Sequence, residues 1–222
     1  MNTRLQKLWI VMLILVPGTL WAQTGGFSGA VPDTYSILNT SNATLSGTIG
    51  SFGTLTIGQS NLMTAYLDFR LRSNNPYQLT AQVGSLVNIT ANARSTTANA
   101  VRSITTGDIG FGIISIDKSG ANVAGGGGNP IRTDTIVGSN TGPNFSSSSW
   151  PSVSNGVVSY HATLHDIDTG ATQILTGDRI SDSGDNSSSD NFLLVRVGVA
   201  VLPEYFASAS FSGTVTFTIA HP

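Results

Sequence analysis

Apolar side chains recur at every second position over long parts of this chain, and this period restricts the fold more than any other feature. In the C-terminal stretch SASFSGTVTFTIAHP, apolar and small residues on one face alternate with serine and threonine on the other. The stretch NFLLVRVGVAVLP, residues 191–203, alternates in the same way. A period of two is typical of half-buried β-strands, and no segment after residue 22 keeps a helical period over ten residues. The sequence therefore predicts an all-β protein.

Turn residues separate about ten such strands, which is typical of a β-sandwich or a Greek-key barrel. We predict one domain over residues 45–222, an immunoglobulin-like or Greek-key β-sandwich, with a jelly-roll-like sandwich as the alternative. The predicted strands cover residues 45–49, 53–57, 63–72, 77–83, 86–93, 109–116, 157–166, 171–175, 192–202 and 209–219.

Two local features are more specific. The strands 63–72 and 77–83 are separated only by the turn sequence SNNP, which predicts a β-hairpin. In DIGFGIISID the apolar residues change from odd to even positions after Ile113, which predicts a β-bulge near Ile113 and Ile114.

The N-terminal segment has the pattern of a secretory signal peptide. Arg4 and Lys7 precede an apolar run over residues 8–16, and a small residue, Ala22, follows a Pro-Gly break. We expect a signal helix over residues 1–22 that is cleaved after Ala22, and hence a secreted protein. The apolar run is too short for a permanent anchor, and the chain has no cysteine to carry a lipid at a cleavage site. No integral membrane anchor is therefore predicted.

The surface is expected to be polar but poor in charge. Only 10% of the residues are charged and the formal net charge is −2, with no basic tract. An average soluble domain has about 25% charged residues. Serine, threonine, asparagine and glycine must supply the surface, which suits an extracellular protein and argues against nucleic acid as a partner.

Few residues of the sequence suggest a catalytic or metal-binding site. An aspartate-rich loop favours calcium as the candidate metal. The stretch DIDTGATQILTG just before it, residues 166–177, has Gly177 where a helix–loop–helix site has its acidic twelfth residue, so a solvated loop is preferred. Its candidate ligands are Asp178, Asp182, Asp185 and Asp190. His161 and His165 lie four residues apart on a predicted strand, where they are expected to face solvent. No nucleophile elbow, phosphate-binding loop or cysteine nucleophile is present, so we predict no enzyme and no cofactor.

Two long polar connections, residues 118–156 and 177–191, leave a second function open. Loops of this length are often functional or mobile. With Trp150 and Tyr160, they are compatible with a monomeric extracellular module that binds glycans or another surface ligand.

The predicted signal peptide, the all-β pattern and the alternating C-terminal strand together resemble bacterial pilin subunits of the spore-coat-U-like, archaic chaperone–usher type. The resemblance implies an incomplete immunoglobulin-like sandwich whose C-terminal strand borders a groove. Subunits of this type fill the groove by donor-strand complementation, first with a periplasmic chaperone's strand and then with the N-terminal extension of the next subunit.

Carried over to this sequence, the resemblance implies an acceptor groove and a donor strand. The groove is lined by Phe211, Val215, Phe217 and Ile219. The donor lies in an N-terminal extension, residues 23–44, and presents Val31, Tyr35 and Ile37 on one face. The implied partners are copies of this chain, a chaperone and an outer-membrane usher, and the implied product is a cell-surface filament used in adhesion.

Overall fold

Two four-stranded antiparallel β-sheets form the described part of the chain in this computed structural model. The structure describes residues 34–45, 49–56, 62–95, 97, 102–117, 133–139, 141–146, 161–180, 192–204 and 206–222, and the backbone of two further strands. The strands are β1 (Tyr35–Leu38), β2 (Met63–Ser73), β3 (Tyr77–Val87), β4 (Ile109–Asp117), β5 (Asp134–Ile136), β6 (Ser152–Ser154), β7 (Val157–Ser159), β8 (Thr172–Gly177), β9 (Leu193–Val201) and β10 (Ser212–Ala220). The predicted signal peptide lies outside the described residues.

The sheets have the strand orders β1-β2-β9-β4, here called sheet A, and β10-β3-β8-β5, here called sheet B. Strands β6 and β7 form a separate pair. The prediction of an all-β sandwich is confirmed. From β2 to β5 and from β8 to β10, each strand lies in the opposite sheet from the one before it. Such alternation is typical of jelly-roll-like sandwiches, the second arrangement that the sequence left open.

The predicted hairpin between residues 63–72 and 77–83 is wrong. Both segments are strands, but β2 pairs with β1 and β9, whereas β3 pairs with β10 and β8. The turn after Ser73 therefore carries the chain from one sheet to the other. Each strand has one apolar face, and a crossing turn lets the two faces meet across the core instead of lying side by side.

The core lies between the sheets and contains the alternate residues expected from the period of two. Sheet A contributes Phe69, Leu71, Val195 and Val197, and sheet B contributes Tyr77, Leu79 and Ala81, all fully buried. Burying a large apolar side chain contributes about 1.5–3 kcal/mol. With no cysteine in the chain, burial and strand pairing stabilise the fold.

Bulges keep the apolar faces inward where the period shifts. The predicted bulge in β4 is confirmed, because the register against β9 shifts between Ile113 and Ser115. The pairing of β10 with β3 also shifts register, between Gly213 and Val215. There, Thr214 Oγ1 accepts a hydrogen bond of 2.9 Å from the Ser85 amide. A Cβ atom on Gly84 would lie 2.4 Å from this oxygen, so a larger residue at position 84 would have to displace the Thr214 hydroxyl from its hydrogen bond.

Four of the predicted strands differ from the structure. The described parts of 45–49 and 53–57 contain no strand. The third, predicted over 86–93, is strand only at Leu86 and Val87, which form the end of β3. The fourth, predicted over 157–166, is a strand only as far as Ser159, and a 3₁₀ helix, Leu164–Ile167, follows. Apolar spacing alone did not separate a short strand from a coil that packs on the core. His165 therefore lies on a helical turn, where its Nδ1 is 2.9 Å from Asp168 Oδ2.

Candidate interaction groove along the last strand

Strand β10 is an edge strand of sheet B. It pairs with β3 on one side, and within the described residues no backbone group bonds to its other side. The edges of sheet A differ, because loops cover them. On β4, Phe111 N donates to Ala162 O at 3.1 Å and Ile113 N donates to Phe145 O at 2.7 Å. On β1, Leu45 N donates to Ile37 O at 3.4 Å. An uncovered edge is a template for another strand.

The inward face of β10 is incompletely buried. Val215, Phe217 and Ile219 point toward the core, yet each is only half-buried. The corresponding inward residues of the inner strands β3 and β9 are almost wholly buried. The outward residues Ser212, Thr214, Thr216 and Thr218 are exposed. The last strand therefore has the amphipathic faces expected from its sequence, but its apolar face lacks part of its cover.

A groove of about 630 Å³ lies beside this face. Phe211, Val215 and Phe217 line it from the side of sheet B. Sheet A contributes the opposite wall, which consists of Ile37, Leu67, Ile109 and Val199. These wall residues are apolar, although polar residues such as Thr44, Ser51 and Thr216 also line the groove, and the groove lies next to the backbone edge of β10. An extended peptide can bind in such a place by main-chain hydrogen bonds and by insertion of alternate side chains.

The segment after β1 forms the lip of the groove. Leu45, Ile49 and Phe52 pack against the core and line the opening, and the Phe52 and Phe211 rings lie 6.3 Å apart. Gly50 has φ +125° and a Cβ on it would lie 3.1 Å from Ala65 Cβ. This positive φ favours glycine, so the sequence IGSFG shapes the lip.

An aromatic cluster packs around Phe217, which lines the groove. The Phe217 ring lies 5.1 Å from Phe69 and 6.4 Å from Phe111, measured between centroids. Phe111 also contacts Phe145 edge to face at 6.0 Å. Because Phe217 bridges the two sheets, it holds β10 against the core while part of its ring stays open to the groove.

The structure brings together most of the predicted groove residues. Phe211, Val215 and Phe217 line the groove, whereas Ile219 packs on the core beyond the lining residues. The predicted donor residues Tyr35 and Ile37 lie in β1, opposite Ser73 and Leu71 of β2. They therefore pair within their own chain, in the sheet opposite β10. Val31 lies outside the described residues.

Of the predicted calcium ligands, only Asp178 is described. Its Oδ2 accepts hydrogen bonds from the Thr133 amide at 2.9 Å and the Thr133 hydroxyl at 2.7 Å, so it fastens the start of β5. Asp182, Asp185 and Asp190 lie outside the described residues, as do Trp150 and Tyr160 of the predicted binding loops. No group of three or more potential metal ligands occurs in the part of the chain that the structure describes.

Among the described residues, two carboxylates, Asp108 and Asp168, are buried in the loops before β4 and after the 3₁₀ helix Leu164–Ile167. Asp108 is 1% exposed and accepts two hydrogen bonds from Arg102, at 2.5 and 2.7 Å. These bonds raise the pKa of Arg102 above its ordinary value, and the charges of Asp108 and Glu204 raise it further. Nearby, the buried Thr106 hydroxyl donates to Asp168 at 2.5 Å. These groups join the loops before β4 and around the 3₁₀ helix Leu164–Ile167.

Sequence reasoning missed the wall from sheet A and the lip. Leu67 and Val199 look like ordinary core positions, because their strands alternate regularly. In the sequence, the lip is marked by its two glycines, Gly50 and Gly53. The structure shows that both have positive φ.

No helix in the described ranges is long and apolar enough to cross a membrane. Comparison with known protein families, with curated proteins and with solved structures finds no match. The groove and the strand pairing must therefore be interpreted from their own geometry.

Proposed function

We propose that this protein is a secreted structural subunit that polymerises into a cell-surface filament by β-strand donation. The observation that carries the proposal is the combination, at β10, of an uncovered backbone edge and a half-buried apolar face. Strand addition satisfies both, since the added strand pairs with the edge and its alternate side chains fill the groove. The mechanism requires an open edge beside a groove and does not depend on the order of the remaining strands.

The donor is the N-terminal segment of a neighbouring copy. Because Tyr35 and Ile37 are paired with β2 of their own chain, they anchor the segment, and residues 23–33 before them enter the neighbour's groove. Pro32 separates the two parts, since proline interrupts a paired strand. Phe27 and Val31 then lie on one face of the donor, with Gly29 between them.

The lengths of donor and acceptor agree. Eleven extended residues span about 36 Å, and the nine residues of β10 span about 30 Å. Residues 23–33 carry one charge, Asp33, so an apolar groove can accept most of the segment. Before assembly, the same exposed edge requires protection from uncontrolled pairing, which is the role of the periplasmic chaperone and usher that the proposal includes.

The proposal predicts that assembly depends on residues 23–33 and on the groove. We expect filaments of the exported protein in negative-stain electron micrographs, and large species in analytical ultracentrifugation. A variant that lacks residues 23–33 keeps β1 and should remain monomeric. Val215→Glu places a charge in the groove and should also abolish filaments. Thr218→Glu, on the exposed face of the same strand, is the matched control and should assemble.

Filaments that form equally well without residues 23–33 and with Val215→Glu would contradict strand donation. Monodisperse wild-type monomers under all assembly conditions would contradict the filament itself. Circular dichroism and a cooperative thermal transition establish that each variant is folded.

A further inference from the structure

Two arginines share one neutral acceptor on the outer face of sheet A. Arg70 Nη1 donates to Asn42 Oδ1 at 2.7 Å, and Arg72 Nη2 donates to the same oxygen at 3.1 Å. Both arginines are in β2, at positions where the side chains lie on one face of the sheet. The cations are thus held beside each other, close to the β1 edge.

The turn after β1 holds the acceptor in place. Asn42 has φ 63°, in the left-handed region that asparagine tolerates better than most residues. Asn39 Oδ1 accepts hydrogen bonds from the amides of Ser41 and Ala43, at 2.9 and 3.0 Å, and these bonds set the turn. Phe192 lies under the Arg70 guanidinium, 4.0 Å from ring centroid to Cζ. The turn therefore holds Asn42 in place, and the Phe192 ring holds Arg70.

The charge of this arginine pair is not compensated within the described residues. Arg196, on the same face, forms two 2.8 Å hydrogen bonds with Asp68, and Arg102 pairs with Asp108. Arg70 and Arg72 have no carboxylate partner in the described ranges. Their Nε atoms are buried and, among the same residues, have no hydrogen-bond partner. Burial and the charge of Arg70 lower the pKa of Arg72.

We propose that Arg70 and Arg72 form a binding site for an oxyanion, with Asn42 holding the two guanidinium groups in position. Guanidinium groups bind carboxylate, sulfate and phosphate through pairs of N–H donors. An oxyanion supplies the negative charge that the neutral Asn42 amide lacks, so it relieves the repulsion between the two cations. The site lies on sheet A and is separate from the β10 groove, so it does not depend on strand donation.

The test is a titration of the purified protein with sodium sulfate, phosphate and acetate, against sodium chloride at equal ionic strength. The Nε–H signals of Arg70 and Arg72 in ¹⁵N NMR spectra should shift in a saturable way with at least one of the three anions. The melting temperature should rise by about 2–4 °C at saturation. Sulfate or phosphate binding without acetate binding identifies a tetrahedral ligand, and acetate binding identifies a carboxylate.

Arg72→Gln should weaken binding by at least about tenfold, because one of the two cations is lost. Arg196→Gln is the matched control and should keep the affinity. If Arg72→Gln does not fold, Arg72→Lys keeps the charge but loses the planar donor pair, and weaker binding is again expected. Shifts of the Arg70 and Arg72 signals that do not exceed those in chloride would overturn the proposal, as would equal loss of binding in the Arg196→Gln control.

Discussion

At the scale of single residues, the carboxylates of Asp108 and Glu204 bind the same arginines but differ in burial. Asp108 is buried, and it accepts from Arg102 and from the Thr105 amide and hydroxyl, the last two at 2.8 and 2.7 Å. Arg94 Nε also lies 3.4 Å from Asp108 Oδ1. Glu204 bonds both arginines, Arg94 and Arg102, but its side chain is 31% exposed. The two carboxylates therefore share partners and differ in burial.

This difference predicts unequal effects of two conservative substitutions. Asp108→Asn removes a buried charge and leaves Arg102 without its closest counter-ion, and should lower the free energy of unfolding by about 3–5 kcal/mol. Glu204→Gln should lower the free energy of unfolding by about 1 kcal/mol or less, since water solvates this partly exposed side chain. Urea unfolding followed by circular dichroism measures both. Equal effects would show that burial of Asp108 is not what makes it important.

At the scale of elements, strand pairing is reinforced by cross-strand side chains on the outer face of sheet A. Asp68 and Arg196 lie opposite each other on β2 and β9. The hydrogen bonds from Arg196 lower the pKa of Asp68 below its usual value of 3.8, although partial burial opposes this shift. The ionised form of Asp68 is therefore favoured by folding.

The sign of this shift gives a pH dependence. A carboxylate with a lowered pKa in the folded protein stabilises it above the unfolded-state pKa and loses that contribution as the pH falls through the folded-state pKa. Asp68→Asn should be less stable than wild type near pH 7, and the difference should shrink as the pH falls below 3.8 and through the lowered folded-state pKa of Asp68. Unfolding free energies of both proteins from pH 7 to pH 2.5 test this. A difference that does not change with pH would contradict the ion pair as its cause.

At the scale of the whole molecule, the sandwich is closed unevenly. Loop backbone covers the edge of sheet A at β4, and the turn after β1 covers the other. At β10 the described structure leaves both the backbone edge and part of the apolar interior accessible. The molecule is therefore expected to gain stability when a strand is added at β10.

The gain in stability can be measured on the monomeric protein, without filaments. A synthetic peptide with the sequence of residues 23–33 should bind the variant that lacks them and raise its melting temperature by about 2–4 °C or more at saturation. The same peptide with Val31 replaced by Asp should bind more weakly, because its inward face then carries a charge into the groove. No stabilisation by either peptide would show that these residues are not the strand that fits the groove.

Much of the local structure was predictable because alternation is a local property. The strands 63–72, 77–83, 109–116, 192–202 and 209–219 were all found as strands, and the bulge after Ile113 followed from a change of phase in the sequence. Leu45 and Ile49 of the lip were predicted wrongly as strand, since apolar residues that pack from a coil have no period of their own. The arginine pair was missed, because the turn that places Asn42 beside it is 28 residues away from Arg70.

The sequence by itself determined which residues form strands and which face of each strand is apolar, because a strand turns its side chains to alternate sides whatever its neighbour is. Only the tertiary structure decided which strands are neighbours. It placed β2 and β3 in different sheets, paired β1 with β2 and left β10 at an open edge. Pairing depends on contacts between residues far apart in the chain, and the same alternating strand fits equally well beside several partners. The groove at β10 is a consequence of that choice.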